Sequence, residues 1–155
     1  MIKTILVATD FSEHSQRAFE RAFDLAVQLG AKLYLLHVQT ESVLRTAVKE
    51  GLLAVGSTDD EMQEAVSQLI EGRFSQTVSA VDHSQVPIEH TTRRGDPDSV
   101  IPAFAVEVGA SLLVIGRRGA GFIDEMRAAV IGSVTEALIR KSPCPIMVVR
   151  RDHRG

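Results

Sequence analysis

The chain has 155 residues, of which 45% are hydrophobic and 24% charged, and its formal net charge is −3. These values are typical of a single globular domain, which we expect to span residues 1–155 and to bury a sizeable core without disulfides or a metal. They exclude a disulfide framework, because Cys144 is the only cysteine, and the lack of long apolar runs and Lys/Arg tracts argues against a membrane span, a secretory signal or a nucleic-acid partner. We therefore expect a cytoplasmic protein with no membrane and no nucleic-acid partner.

Five short apolar runs, separated by helical patterns or turn signals, predict five β-strands. Most of these runs are nearly continuous, which is typical of parallel strands covered on both faces. The run at 88–91 alternates instead, so we predict an edge strand there, with Pro87 tolerated at its start. The predicted strands cover residues 2–8, 32–38, 87–92, 111–115 and 145–150.

Two amphipathic helices are predicted in the first half of the chain. The first has Ser12 as its N-cap and Gly30 as its C-terminal stop. Its core-facing stripe comprises Ala18, Phe19, Ala22, Phe23, Ala26 and Val27. The second helix starts near Met62, after a capping box formed by Thr58 and Glu61.

Two further helices are predicted in the second half. The third begins at Asp96-Pro97, where the aspartate is the cap and the proline occupies the first helical position. Pro102 removes a backbone donor in the second turn, so the sequence predicts either a local kink or a later start of this helix. The fourth helix begins near Ser133 and ends before Ser142-Pro143.

Strands that alternate with helices are typical of an α/β domain with a mainly parallel sheet and right-handed crossovers. Residues 40–57 fit no element of this pattern. They are predicted to form a mobile flap or a surface that packs against a partner, or else a loop with one helical turn packed on the core.

The most informative stretch is the glycine-rich segment 116–121, which follows the fourth predicted strand. Gly116 and Gly119 would let backbone amides approach an anion, and Gly132-Ser133 at the start of the last helix adds unpaired N–H groups. This pattern predicts a phosphate site; the alternative is that the glycines only form a turn and Ser133 only caps the helix. Neither a Walker loop nor the dinucleotide motif G-x-G-x-x-G occurs in the sequence.

Six motifs follow one another along the chain: IKTILVATD at 2–10, HV at 37–38, GDP at 95–97, VIGRRG at 114–119, GSVTE at 132–136 and PCPI at 143–146. In this order, and over essentially the whole length, the chain resembles universal stress proteins of the UspA type. The resemblance implies an α/β fold with a five-stranded parallel sheet in the order 3-2-1-4-5, helices on both faces, and a likeness to adenine nucleotide alpha hydrolases. It also implies a homodimer paired through the fifth strands and, in one branch of the family, binding of ATP or AMP.

The same resemblance implies which residues would surround the nucleotide. Asp10 would accept a hydrogen bond from the adenine or the ribose, or help to hold Mg²⁺ near the phosphates, and Val38 would offer backbone groups to the adenine edge. For Asp10 the alternative is an Asx turn or a capping role ahead of Ser12. The implied cofactor-binding set is Ala8, Thr9, Asp10, Val38, Gly95, Ile115, Gly116, Arg117, Gly119, Gly132, Ser133 and Val134.

One spacing departs from the nucleotide-binding branch of the family, whose motif is G-x2-G-x9-G-[ST]. Here 12 residues, rather than nine, separate Gly119 from Gly132. A short helix at 123–129 would absorb the three extra residues, since they make nearly one turn of ~3.6 residues. Alternatively, Phe122 or Met126 would fill the crevice and prevent binding.

Three functions remain open at this point, and the least favoured is an enzyme that uses the crevice for adenylation or ATP hydrolysis. The favoured one is an ATP- or AMP-binding stress-response or regulatory homodimer, in which Mg²⁺ would accompany ATP. At most slow ATP hydrolysis is expected, because neither a Walker lysine nor an evident general base is present. The alternative is an interaction module of the same family that has lost nucleotide binding and recruits a regulatory protein.

Overall fold

The computed structural model describes residues 1–40, 51, 58–117 and 133–150. Strands and helices alternate along these residues, with one short 3₁₀ turn at His83–Gln85. The strands are β1 Thr4–Thr9, β2 Lys32–Gln39, β3 Ile88–Arg94, β4 Leu112–Gly116 and β5 Ile146–Val149. The helices are α1 Glu13–Leu29, α2 Asp59–Ser79, α3 Pro97–Glu107 and α4 Ser133–Lys141.

The five strands form one parallel sheet in the order β3-β2-β1-β4-β5, which confirms the predicted topology. Each strand lies within two residues of its predicted bounds. The alternating run 88–91 belongs to β3, and β3 is at one edge of the sheet, as predicted. The opposite edge is β5, whose four residues are all half-buried.

Apolar side chains are buried on both faces of the sheet. On the face covered by α1 and α2, the odd-numbered residues of β1 and β2, such as Val7 and Leu35, pack with Phe19 and Phe74. On the other face, Leu6 and Leu36 pack with side chains of α3 and α4. The continuous apolar runs of the sequence thus correspond to strands covered on both sides.

The predicted stripe of α1 is correct except at its last position. Ala18, Phe19, Ala22, Phe23 and Ala26 are buried, but Val27 is 44% exposed. Each step of four residues rotates a helical position by about 40°, because one residue turns about 100°. Val27 has therefore drifted out of the stripe that Ala18 begins.

The predicted helix starts are confirmed, including one for which the sequence left a second possibility. Ser12 caps α1, since its hydroxyl accepts a hydrogen bond from the Ser15 amide, and Thr58 and Glu61 form the capping box of α2. A later start of α3 caused by Pro102 is wrong, because the helix begins at Pro97. Proline has no backbone N–H, so position 102 cannot donate a hydrogen bond to a carbonyl of the first turn. The helix lacks only this bond and continues to Glu107.

Two glycines on helices allow a paired test of backbone strain. Gly30 ends α1 with φ +61°, while Gly72 lies inside α2, and a Cβ at either position would meet no atom within 4 Å. Gly30→Ala is therefore expected to destabilise the fold by about 1 kcal/mol. The cost comes from the left-handed backbone conformation, which is unfavourable for alanine, and not from a clash. Gly72→Ala is expected to stabilise it by about 0.5–1 kcal/mol. Urea unfolding of both variants checks the two signs, and a loss of stability in Gly72→Ala would contradict the packing described for α2.

Several sequence predictions concern residues outside the described ranges. These are most of the segment 40–57, the short helix at 123–129, the plugging residues Phe122 and Met126, and the glycines Gly119 and Gly132. Within the described ranges, no helix is both long enough and apolar enough to cross a membrane.

Candidate functional site

The candidate site lies where the connections of β1 and β4 leave the sheet in opposite directions. After β1 the chain turns into α1 on one face, whereas α4, the helix that follows β4, packs on the other face. Val7 pairs with Val114, so Thr9 at the end of β1 lies level with Gly116 at the end of β4. In open parallel sheets this reversal forms a crevice at the carboxyl ends of the strands, where ligands commonly bind.

Asp10 follows β1 at this crevice, and its two carboxylate oxygens have different surroundings. Oδ1 accepts hydrogen bonds from the Ser12 amide at 2.9 Å and from the Ser15 hydroxyl at 2.9 Å. Oδ2 is buried and has no hydrogen-bond partner among the residues that the structure describes. A buried carboxylate oxygen without a donor is costly, so this atom marks a place where a donor from a ligand would be stabilising.

A chain of hydroxyl groups supports the Asp10 carboxylate from behind. The Phe11 amide donates to the Thr9 hydroxyl at 3.0 Å, and the Thr9 hydroxyl donates to the Ser15 hydroxyl at 3.1 Å. Thr9 and Ser15 are both buried. The side chain of Thr9, a member of the implied cofactor-binding set, thus lies within the fold. It contacts Ser15, which in turn donates to Asp10. Sequence reasoning did not select Ser15, although its position three residues after the N-cap places it in the first turn of α1.

Phe11 is the second residue that sequence reasoning missed. It has φ +63°, a left-handed conformation that is rare for an aromatic residue. Its ring packs on the His37 imidazole with a centroid distance of 4.5 Å and on the edge of Phe74 at 5.1 Å. These contacts hold the backbone next to Asp10 in a conformation that would otherwise be unfavourable, which is common at binding sites.

His37 is buried at the end of β2 and connects it to β1. Its Nδ1 lies 2.9 Å from the Thr9 carbonyl oxygen, so Nδ1–H is the donor. Burial lowers the pKa of His37 below its ordinary value of 6.5, while the Thr9 carbonyl and the negative charge of Asp10 act in the opposite direction. In this geometry His37 is a hydrogen-bonded structural residue.

The depressed pKa of His37 predicts an acid-sensitive fold. Because the unfolded chain binds this proton more readily than the folded one, the contribution of His37 is present above pH 6.5 and is lost as the pH falls below it. We expect the loss of stability between pH 7 and pH 5 to be larger in the wild type than in His37→Gln. Urea unfolding at both pH values measures the difference, and parallel losses in the two proteins would contradict it.

Gly116 ends β4 directly against the first turn of α1. A Cβ at this position would lie 2.9 Å from the backbone carbon and oxygen of His14, which is closer than real side chains approach. Gly116 is thus required for the close packing of α1 on β4, in addition to any role in binding. Its neighbour Arg117 is half-buried and donates its amide to the Val149 carbonyl at 3.1 Å, which extends the pairing of β4 with β5.

The start of α4 lies beside the end of β4. The Thr135 hydroxyl, which is buried, donates to the Arg117 carbonyl at 3.4 Å and joins two stretches that are 18 residues apart. Val134, in the same turn, packs on the α3/α4 face together with Ala8 and Val38, and all three are half-buried. These three predicted site residues therefore pack against the same core cluster, on one face of the sheet. Thr135 was not predicted as a site residue, because its role depends on this contact.

Gly95 lies at the end of a strand that is not adjacent to β1. It follows β3, which is two strands away from β1, so about 10 Å of sheet separates the two strands. Its φ is +135°, and its amide donates to the Gln39 carbonyl at 3.2 Å. It lines a cavity of about 590 Å³ together with Gln39, Gln63 and Arg94.

A second cavity, of about 790 Å³, lies along β3, and its lining includes Tyr34 and Phe104. Its charged side chains are already paired: Arg93 with Glu107 at 3.0 Å, and Glu89 with a lysine of β2 at 2.7 Å. None of its lining residues has a buried side-chain nitrogen or oxygen without a partner. Asp10 has such an atom at the carboxyl ends of the strands, so we place the candidate site at the β1/β4 crevice rather than in this cavity.

Two further residues of the implied set lie in β4 and at the start of α4. Ile115 is buried in β4, and Ser133 begins α4. Gly119 and Gly132 lie outside the described residues. Within the described part of the chain, no group of three or more His, Cys, Asp or Glu residues is arranged to hold a metal ion.

Comparison with known proteins tests the resemblance. A model of the universal stress protein family matches residues 1–150. The chain belongs to the universal stress protein family. A curated relative, the universal stress protein YxiE of Bacillus subtilis, is 32% identical over 151 residues, which are 97% of this chain and 100% of YxiE.

Solved structures confirm the fold of this universal stress protein. The hypothetical protein MJ0577 matches with a TM-score of 0.77 and 25% identity, over 99% of each chain. A universal stress protein crystallised in complex with cAMP matches with a TM-score of 0.60 and 25% identity, over 96% of this chain and 97% of that one. The adenine nucleotide hydrolase-like sheet that the sequence predicted is therefore the fold of this chain.

Proposed function

We propose that this universal stress protein binds an adenine nucleotide, AMP or ATP, in the crevice between β1 and β4. The observation that carries the proposal is the buried Oδ2 atom of Asp10, which has no donor in the described part of the chain although Oδ1 has two. An Asx turn explains Oδ1 and leaves Oδ2 unexplained. A ribose hydroxyl or the adenine amino group would supply the missing donor.

The surroundings of Asp10 suit the other parts of a nucleotide. Ala8, Val38 and Val134 form a half-buried apolar surface on which an adenine ring would pack. The first turn of α4 provides N–H groups without helical acceptors and the positive end of the helix dipole, which favour a phosphate. Arg117, next to this turn, would add positive charge. Gly119, Gly132 and Ser133 would complete the phosphate contacts, and Asp10 would help to hold Mg²⁺ when ATP is bound.

A binding role without catalysis suits these residues best. The acidic group at the site, Asp10, is already engaged by two donors through Oδ1, which orients it as a fixed acceptor. The solved relative in complex with cAMP also supports a nucleotide as ligand. We propose a regulatory, stress-response role in the cytoplasm, in which binding alters the affinity for a regulatory protein.

We also propose that two chains pair through β5 to form a homodimer. β5 is an edge strand, so one row of its backbone N–H and C=O groups has no neighbouring strand within the described part of the sheet. Its four apolar residues are all half-buried, and a second copy would cover their exposed parts. Sedimentation equilibrium of the purified chain distinguishes a dimer from a monomer.

The ligand can be identified in two steps. The protein is purified, any bound molecule is released by heat and separated by ion-exchange chromatography, and the emptied protein is titrated by calorimetry with AMP, ATP–Mg²⁺ and cAMP. Saturable binding of at least one of them, one per chain, is the expected result. No released nucleotide together with flat titrations would refute the proposal.

One observation favours the second candidate function, an interaction module without nucleotide. The 12 residues between Gly119 and Gly132 exceed the nine of the nucleotide-binding motif. If the longer segment prevents binding, deleting three residues between 120 and 131 should create ATP binding in a protein that has none. Equal binding before and after the deletion would rule this function out.

A further inference from the structure

We propose that Ser15 is a positioning residue, which fixes the orientation of the Asp10 carboxylate and thereby the place of its Oδ2 atom beside the end of β1. Ser15 is 4% exposed and lies in the first turn of α1. Its hydroxyl is 2.9 Å from Asp10 Oδ1 and accepts hydrogen bonds from the hydroxyls of Thr9 and Ser12. The binding consequence of this role rests on the proposed nucleotide function, whereas the orientation of Asp10 does not.

The orientation of the Asp10 carboxylate depends on two hydrogen-bond donors, the Ser12 amide and the Ser15 hydroxyl. The Ser12 amide alone would leave the carboxylate free to turn about its last side-chain bond, because that torsion has broad minima in aspartate. Ser15 provides the second donor to the same oxygen. With both donors on Oδ1, the other oxygen is held in the place where it is buried and unpartnered.

The direction of the Ser15 proton is set by its neighbours. The Ser15 proton has two acceptors in reach, Asp10 Oδ1 at 2.9 Å and the Ser12 carbonyl at 3.0 Å. The Phe11 amide and the Thr9 hydroxyl form a chain of donors that ends at the Ser15 oxygen. Hydrogen bonds in such a chain strengthen one another, and the negative carboxylate is the stronger of the two acceptors. The buried hydroxyls of Thr9 and Ser15 thus act together on Asp10.

Crystal structures of the wild type and Ser15→Ala test the orientation without any ligand. The expected result is that the Asp10 carboxylate turns, or is found in two orientations, in Ser15→Ala and is restored in Ser15→Thr, which keeps a hydroxyl. An unchanged carboxylate in Ser15→Ala would overturn the inference. A matched control is Thr77→Val, which removes another buried helical hydroxyl, one that donates to the Arg73 carbonyl.

A double-mutant cycle tests the effect on binding. We expect Ser15→Ala to weaken AMP binding about tenfold, and to have no further effect in a protein that already carries Asp10→Ala. Additive losses would show that Ser15 acts on the fold rather than on Asp10, and would overturn the inference. A wild type that does not bind AMP would refute the proposed function, and the crystal structures would still decide the role of Ser15.

Discussion

Asp10→Asn is expected to weaken AMP binding by about 10- to 100-fold, the value of one hydrogen bond to a charged group. The substitution keeps an oxygen that accepts from the Ser12 amide and the Ser15 hydroxyl. It replaces Oδ2, the buried atom without a partner, by an NH₂ group that cannot accept a donor from the nucleotide. Calorimetric titration with AMP measures the change in affinity.

The stability of Asp10→Asn separates binding from folding. Because both hydrogen bonds of Oδ1 can be kept, the free energy of unfolding should change by less than about 1 kcal/mol. Asp82→Asn is a suitable control, since Asp82 also accepts from a nearby backbone amide, that of Ser84, but is exposed and far along the chain. Unchanged AMP affinity in Asp10→Asn would contradict the role given to Oδ2.

Gly116→Ala is expected to destabilise the fold by about 2 kcal/mol, the middle of the range for overpacking. Its Cβ would lie 2.9 Å from the backbone of His14, and a backbone cannot move aside as the end of a side chain can. For a chain of this size the midpoint of thermal unfolding should fall by about 4–8 °C. Calorimetric or circular-dichroism melting measures the shift.

The same substitution elsewhere provides the control for Gly116→Ala. Gly72→Ala adds the same methyl group inside α2, where it would meet no described atom within 4 Å outside its own stretch of helix, and should raise the midpoint instead. AMP affinity should also fall in Gly116→Ala, because α1 carries Ser12 and Ser15 and must move away from β4. A variant that melts like the wild type would show that α1 and β4 are not packed so closely.

The sheet could be predicted because its physical causes are local. Nearly continuous apolar runs mark strands covered on both faces, and the alternating run at 88–91 marks β3 as an edge strand. Caps at Ser12 and Thr58 fixed the helix starts within a few residues. The prediction that Val27 is buried was wrong because positions four residues apart rotate gradually around a helix. The predicted late start of α3 was wrong because the helix tolerates the missing backbone donor at Pro102.

The candidate site was predictable only in part. Motif resemblance selected Asp10, Gly116 and Val134, which the fold places at neighbouring positions. It missed Ser15 and Thr135, because a hydroxyl acquires its role from contacts with Asp10 Oδ1 and the Arg117 carbonyl. These contacts depend on tertiary structure and leave no periodic pattern in the sequence.

Phe11 shows a second reason why site geometry escapes prediction. Its φ of +63° contradicts the usual preference of an aromatic residue, and packing on His37 and Phe74 stabilises it. A sequence pattern predicts the preferred conformation of a residue, whereas a binding site can depend on an unfavourable one that the rest of the fold imposes.

An NMR titration of the uniformly ¹⁵N-labelled protein with AMP tests the central claim most directly, because it reports both binding and its location. We expect saturable shifts of the amide signals of Asp10, Ser12, Val38, Arg117 and Val134, with little change in those of β3 from Glu89 to Arg93. Shifts confined to β3, or no saturable shifts at all, would contradict a nucleotide site at the β1/β4 crevice.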